Sequence, residues 1–222
     1  MAQSKSSKAW LNRHVNDRFV QQARAQGLRS RAAFKLQEIA DRDRLLRPGA
    51  RVVDLGAAPG GWSQVAASKV QPKGRVVAID LLEIAPISGV HVVRGDFRDP
   101  AVRAAVHAAL EGPADVVLCD MLPNLSGIAS VDQAQAAALT ELALDFCGLS
   151  LKPGGAFLVK VFQGVAFNEV LAAMKQRFRT VATRKPAASR GESRETYLLG
   201  RGLQNTLASS EPRDTGDFGL ES

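Results

Sequence analysis

The chain has 222 residues, of which 45% are hydrophobic, 23% charged and 5% aromatic. That is enough for one α/β domain with an ordinary core and too little for two. No apolar run is long enough to span a bilayer, and the polar opening Met1–Lys8 lacks the apolar stretch of a secretory signal, so a cytoplasmic protein without membrane contact is expected. Charge is uneven within a formal net of +7. Residues 1–51 hold twelve Lys/Arg against four Asp/Glu, whereas residues 203–222 hold one Arg against Glu211, Asp214, Asp217 and Glu221. A basic front half points to a polyanion, of which nucleic acid is the usual kind. Cys119 and Cys147 fall in apolar surroundings without metal-ligand spacing; they read as reduced, buried thiols, and no metal is expected.

Residues 1–10 are expected to be disordered. From Leu11 to Gln26 the spacing is helical, with Val15, Phe19 and Val20 on one side and Arg13, Arg18 and Arg24 outside. Ser30 is the expected cap of a second helix, Arg31 to Arg42, burying Ala33, Phe34, Leu36 and Ile39. Pro48-Gly49 turns the chain into a first strand, Arg51–Leu55. The turn Gly56-Ala57-Ala58-Pro59-Gly60-Gly61 follows, and Trp62-Ser63-Gln64 opens a helix. In a doubly wound sheet, ligands sit beyond the carboxyl ends of the strands at such a turn. The dinucleotide fingerprint fails at its second glycine, where Ala58 stands. That glycine would let a pyrophosphate approach the backbone, so the turn points away from NAD and toward a ligand without phosphates, such as S-adenosyl-L-methionine.

Beyond this turn, strands alternate with helices: strands at Arg75–Asp80, Val90–Arg94, Asp115–Asp120 and Ala156–Phe162, helices near 62–70, 99–111, 131–150 and 166–176. A closing pair at about 179–184 and 195–200 leaves no room for a crossover helix and should be antiparallel. The expected fold class is therefore α/β: a Rossmann-like methyltransferase fold, with a mostly parallel seven-strand-type sheet, an antiparallel edge hairpin and helices on both faces. Residues 11–202 form the domain, with basic N-terminal helices over 11–47, and residues 203–222 read as a disordered acidic tail.

Three acids end three strands: Asp80, Asp96 and Asp120. Asp80 lies 24 residues past Gly56, near the spacing at which an acid meets a ribose hydroxyl pair. Asp96 is placed to accept from an adenine amine. A lone strand-end Asp is more often a cap or turn residue. Three around one glycine-rich turn fit a ligand with a ribose, a base and a positive charge.

Five segments stand in order: Ser30-Arg31-Ala32-Ala33-Phe34-Lys35-Leu36, Asp54 to Gln64, Asp120-Met121-Leu122-Pro123-Asn124, Leu158-Val159-Lys160-Val161-Phe162-Gln163-Gly164 and Ser193-Arg194-Glu195-Thr196-Tyr197. Together they resemble the FtsJ-type ribosomal RNA 2′-O-methyltransferases, specifically the bacterial branch acting on the large ribosomal subunit, over about residues 10–202. The family's Lys-Asp-Lys-Glu tetrad maps onto Lys35, Asp120, Lys160 and Glu195. The resemblance also puts Gly60 and Trp62 against the methionine part of the cofactor. With Asp54, Gly56, Asp80, Asp96 and Asp120 they make up the expected cofactor site. It implies methylation of a uridine ribose in 23S ribosomal RNA within the large subunit, by a protein expected to act as a monomer.

The residue types suit that chemistry. A ribose hydroxyl is a poor nucleophile and needs a base, an in-line approach and stabilisation of charge on oxygen. Lys160 stands in the apolar run Phe157–Phe162, where partial desolvation lowers a lysine pKa from about 10.4. A second ammonium from Lys35 would lower it further and Asp120 would oppose this, so the group titrates as a unit. Glu195 would orient Lys35 or the ribose. With few aromatics for stacking, RNA binding is expected to rest on phosphate contacts by Arg13, Arg18, Arg24, Arg29 and Arg31 and on RNA shape. Rival readings from sequence are a transfer RNA 2′-O-methyltransferase, an RNA-binding assembly factor using the cofactor structurally, and, disfavoured by Ala58, an NAD oxidoreductase.

Overall fold

The computed structural model describes residues 17–123, 126–164, 166–189 and 193–204. The expected disorder at 1–10, residues 11–16 with Arg13, the motif residue Asn124 and most of the acidic tail lie outside the described residues; the helix expected from Leu11 starts at Arg18, because Asp17 is extended and caps it. Within them, helices α1 (Arg18–Ala25) and α2 (Ala32–Asp43) lead into β1 (Arg51–Leu55), α3 (Gly61–Val70), β2 (Arg75–Asp80) and β3 (Val90–Arg94). Then follow α4 (Pro100–Leu110), β4 (Ala114–Cys119), α5 (Ala129–Ser150), β5 (Leu151–Phe162), α6 (Phe167–Arg177), β6 (Phe178–Arg184) and β7 (Glu195–Leu203).

The seven strands form one sheet in the order β3-β2-β1-β4-β5-β7-β6. Strands β1 to β5 pair in parallel, and β7 inserts antiparallel between β5 and β6. The expected antiparallel closure is thus present, and the order reverses after β1, which opens a crevice at the carboxyl ends of β1 and β4.

Side-chain alternation splits the core in two. Val53, Leu55, Val117, Phe157, Val159 and Leu198 pack on one face with residues of α4, α5 and α6. Val52, Val116, Leu118, Leu158, Tyr197 and Leu199 pack on the other with Leu36 and Ile39 of α2 and Val65 and Ala66 of α3. Position 160 follows 156 and 158 on this second face. Lys160 is therefore the point at which that apolar row turns polar, and α2 crosses the same face carrying Lys35.

Four boundary details differ from the sequence-based expectation. Ser30 does not cap α2: the residue before the helix is Arg31, which makes no side-chain cap, and a Cβ on Gly61 would lie 2.3 Å from Ser30 Oγ. In α2, Phe34 is only half-buried, while Lys35 is buried beside Leu36. Strand β5 begins at Leu151, because Leu151 pairs with Ala114 before an irregularity absorbs Lys152–Gly155, where Pro153 and two glycines suggest a turn. Strand β7 runs to Leu203, which pairs with Phe178 and is buried, so the domain extends past the expected edge at 202. The edge is tied to α2 by Arg184, whose Nε and Nη2 donate to the two oxygens of Asp43 at 2.8 and 2.6 Å. That hydrogen-bonded guanidinium holds the Asp43 carboxyl below its usual range despite burial.

Phe157 sits at the centre of the first core, fully buried and stacked on Phe178 with ring centroids 6.3 Å apart. Replacing Phe157 with Ala leaves a cavity that neighbouring strands cannot close, and should cost about 3–5 kcal/mol. The expected readout is a lower urea midpoint with an unchanged slope; a midpoint like that of the wild type would show that the sheet relaxes around the gap.

Candidate active site

Lys160 enters the site from β5 with only 7% of its surface exposed. Its ammonium donates to the Asp120 backbone carbonyl at 2.5 Å and lies 3.0 Å from Asp120 Oδ1. Asp120 stands one residue past β4, so the crevice at the end of the neighbouring strand delivers it. Lys35 comes from α2, and its Nζ donates to Glu195 Oε1 at 2.6 Å. Glu195 is the first residue of β7. The four residues read from the sequence thus form two ion pairs on one face, both largely withdrawn from solvent.

Tyr197 links the pairs. It lies opposite Lys160 in the β5–β7 register, is fully buried, and its hydroxyl is 3.0 Å from Asp120 Oδ1 and 3.2 Å from Glu195 Oε1. Its position in the Glu195-Thr196-Tyr197 run carries the signal, since alternate strand residues share a face. Burial first, and the Asp120 and Glu195 carboxylates second, push the phenol far above its usual range. Tyr197 is therefore a hydrogen-bond donor at neutral pH and not a base. Burial acts to raise the Glu195 carboxyl, but the Lys35 ammonium outweighs it and the group is held below its usual range.

The crevice beside this cluster is set by the glycine-rich turn. The amides of Gly56 and Ala57 donate to the Ile79 carbonyl at 2.9 and 3.0 Å, and the Ala58 amide donates to Asp80 Oδ2 at 2.8 Å. Gly56 has φ +69°, and a Cβ there would lie 2.0 Å from Met121 Cγ. The turn amide that would otherwise face a phosphate is thus held by a carboxylate, which adds a charge-based reason against a pyrophosphate to the one given by Ala58. Asp80 Oδ1 also accepts from the Leu82 amide at 2.8 Å. A ligand with a cationic centre and hydroxyl donors fits this acid-lined cradle, since each carboxylate oxygen retains a second lone pair. Gly56, Gly60, Asp80 and Asp120 border this cradle, while Asp54 is enclosed behind it.

Other expected contacts have different surroundings. The Trp62 indole is buried among Leu36, Val65 and Tyr197, and its Nε1–H donates to the Ala32 carbonyl at 2.8 Å, so the ring is a core aromatic joining α3 to α2. Asp96 is gripped by Arg98, whose Nε lies 2.9 Å from both oxygens; this lowers the Asp96 carboxyl below its usual range. Arg29 staples the turn from outside, donating to the carbonyls of Pro59, Ala85 and Pro86 at 3.0, 2.7 and 2.7 Å. Arg31 pairs with Asp17 and donates to the Ala188 carbonyl. Arg18 and Arg24 are exposed on α1. Cys119 and Cys147 are buried and free, and burial pushes the Cys119 thiol up to about 12. Among the described residues no His/Cys/Asp/Glu group suits a metal ion, and no helix is long and apolar enough to cross a membrane.

A parallel sheet with an antiparallel edge, an acid-lined crevice at its order reversal and a lysine set in apolar surroundings beside it define an α/β methyltransferase. The chain belongs to the FtsJ-like methyltransferase family, whose sequence model matches residues 28–203. It is 59% identical over 206 residues to the ribosomal RNA large subunit methyltransferase E of Nitrosospira multiformis, covering 92% of this chain and all of that one. It is 53% identical, with the same coverage, to the protein of that name from Methylobacillus flagellatus. Among solved structures, a chain described as a ribosomal RNA methyltransferase from Plasmodium falciparum superposes with a TM-score of 0.72 at 27% identity, over 79% of this chain and 98% of that one.

Asp54, expected from sequence in the cofactor site, lies behind the turn with its carboxylate turned to Ser63 rather than to the crevice. It is fully enclosed, accepts from Ser63 Oγ at 2.6 Å, and burial, with Asp120 and Asp80 nearby, pushes its carboxyl up to about 7. Folded Asp54 thus holds its proton more tightly than the unfolded chain, where the ordinary value is 3.8. Its contribution to stability is complete at low pH and is lost as pH rises from about 4 through about 7. Asp54→Asn keeps an acceptor for Ser63 and should remove this drift. The check is the difference in unfolding free energy between wild type and variant at pH 5 and pH 8. The variant should gain relative to wild type at pH 8, and a constant difference would mean that Asp54 titrates normally.

Proposed function

We propose that the protein transfers a methyl group from S-adenosyl-L-methionine to the ribose 2′-hydroxyl of a uridine in 23S ribosomal RNA, within the large ribosomal subunit in the cytoplasm. The observation that carries this reading is Lys160: a nearly buried ammonium at the mouth of the acid-lined crevice, held by Asp120. The names borne by relatives matched over their whole length support ribosomal RNA of the large subunit as the substrate class. The cofactor supplies an electrophilic methyl on a sulfonium. With that group bound, held by Gly56, Gly60, Asp80 and Asp120, Lys160 Nζ would take the proton of the ribose hydroxyl as its oxygen accepts the methyl. To act as a base the Lys160 side chain must be the neutral amine. Asp120 keeps Nζ aimed. The Lys35–Glu195 pair borders the place where the ribose enters, and its ammonium stabilises charge building on the attacking oxygen.

RNA contact falls to the exposed arginines of α1, Arg18 and Arg24, with Arg13 outside the described residues. Arg29 is already engaged by three carbonyls and acts on the turn rather than on RNA.

Two outcomes test the reading. Tritiated methyl transfer to 50S subunits, with the product nucleoside identified, should give 2′-O-methyluridine. Lys160→Met should reduce it by about 10²–10⁴ while leaving cofactor affinity, read by calorimetry, within a few fold. Transfer at the wild-type rate would remove Lys160 from the base role. Arg18→Ala with Arg24→Ala should weaken RNA binding and lower its salt slope by about 0.7–0.9 for each phosphate that is no longer neutralised. Unchanged affinity and slope would place the RNA surface elsewhere.

A further inference from the structure

The segment leading from β6 toward β7 is strapped to α1 and α2 by side chains that the reaction itself does not require. The Ala187 amide donates to Glu38 Oε2 at 2.8 Å, on the same helix as Lys35. Arg31 donates to the Ala188 carbonyl and pairs with Asp17. Asp17 is also the cap of α1, accepting from the Phe19 amide at 3.0 Å. One residue on, Ser189 Oγ donates to Glu195 Oε1 at 3.0 Å, the oxygen that also receives Lys35. Ala188 and Ser189 are buried, which is unusual for loop residues. Lys185 closes the far side by donating to the Ser193 and Glu195 carbonyls. A continuous path of polar contacts therefore runs from the cap of the basic helix, through Arg31 and the strap, to the carboxylate of the Lys35–Glu195 pair.

We propose that Arg31 and Ser189 are positioning residues: they tie α1, the helix offered to RNA, to Glu195, so that correct seating of α1 sets the aim of Lys35. The proposal rests on the RNA methyltransferase reading given above. Glu195 Oε1 receives three donors, and removing Ser189 frees the carboxylate to follow Lys35 instead of holding it. Arg31 has the planar fork needed to reach Asp17 and the Ala188 carbonyl together, which a lysine point charge lacks. Arg31 thereby belongs to the machinery that transmits binding and does not contact phosphate.

The experiment compares single-turnover transfer to 50S subunits by wild type, Ser189→Ala, Ser189→Thr and Arg31→Lys. Ser189→Ala and Arg31→Lys should each lower the rate at saturating RNA about ten- to a hundredfold, the effect of removing one hydrogen bond to a charged group. RNA affinity and its salt slope should stay unchanged, and Ser189→Thr, which keeps the hydroxyl, should recover most of the rate. Combining Ser189→Ala with Arg31→Lys should cost less than the product of the two, because both act through one strap. A wild-type rate in Ser189→Ala overturns the proposal, as does a salt slope that falls by about 0.7–0.9 when Arg31→Gln removes the charge, which would make Arg31 a phosphate ligand. Hydrogen exchange on the protein without RNA separates this from the functional reading. Arg31→Lys should speed exchange of the Ala187 and Ser189 amides even if 50S subunits prove to be no substrate, and unchanged exchange there overturns the strap by itself.

Discussion

One proton on the Tyr197 hydroxyl is shared between two carboxylates, and much of the site follows from where that hydroxyl lies. The antiparallel register of β7 on β5 puts Tyr197 opposite Lys160 and Glu195 opposite Phe162. Alternation then points Tyr197 and Glu195 to the face crossed by α2 and its Lys35. A parallel partner at this position would arrive after a crossover helix, with its carboxyl end at the crevice. The antiparallel one brings its first residues there, so a single short run supplies both a carboxylate and a phenol to the end of β5. The inserted strand is thus the means by which a nucleotide-type sheet acquires the second half of a cluster of paired charges.

The electrostatics of the cluster balance only as a whole. Two ammonium groups and two carboxylates are held largely out of solvent, each cation within 3.0 Å of an anion. Burying such groups has a large desolvation penalty, and a pair of this kind is weak evidence for stability; removing one partner leaves the other charged and enclosed. The arrangement is better understood as a means of fixing direction: each ammonium is aimed by the carboxylate it meets, Lys160 by Asp120 and Lys35 by Glu195. The Asp54 carboxyl is raised by burial first and then by the Asp120 and Asp80 carboxylates beside it.

The strands and the antiparallel closure are legible in the sequence because they rest on local pattern, apolar runs of strand length and glycine and proline at the turns; of the tetrad only Lys160, inside an apolar strand, carries such a pattern, and Lys35, Asp120 and Glu195 come from the resemblance. Contacts between segments far apart in sequence are not legible in this way. Ser189, six residues before Glu195, gives no sign that its hydroxyl folds back onto that carboxylate. Ser30 sits before a helical run with the residue type of a cap, yet packing against Gly61 decides its side chain instead. For both serines, tertiary packing decides what a local rule cannot, whereas the ring of Trp62 packs in the core beside Tyr197 as a helix-packing aromatic does.

The basic front half shows the same limit. Counting charges gives an excess of cations over residues 1–51 but cannot say which of them are free to meet a polyanion. Arg29 and Arg31 fasten the cofactor-side turn and the strap, Lys35 is enclosed with Glu195, and Arg51 donates to the Leu110 carbonyl. Exposed Arg18 and Arg24 lie on a helix whose cap residue is the same Asp17 that Arg31 grips. The cations that face solvent and those that hold the machinery are therefore joined at one carboxylate. A net charge read from sequence overstates the electrostatic footprint for this reason: part of it is internal mortar, and the part that remains outside is attached to that mortar directly.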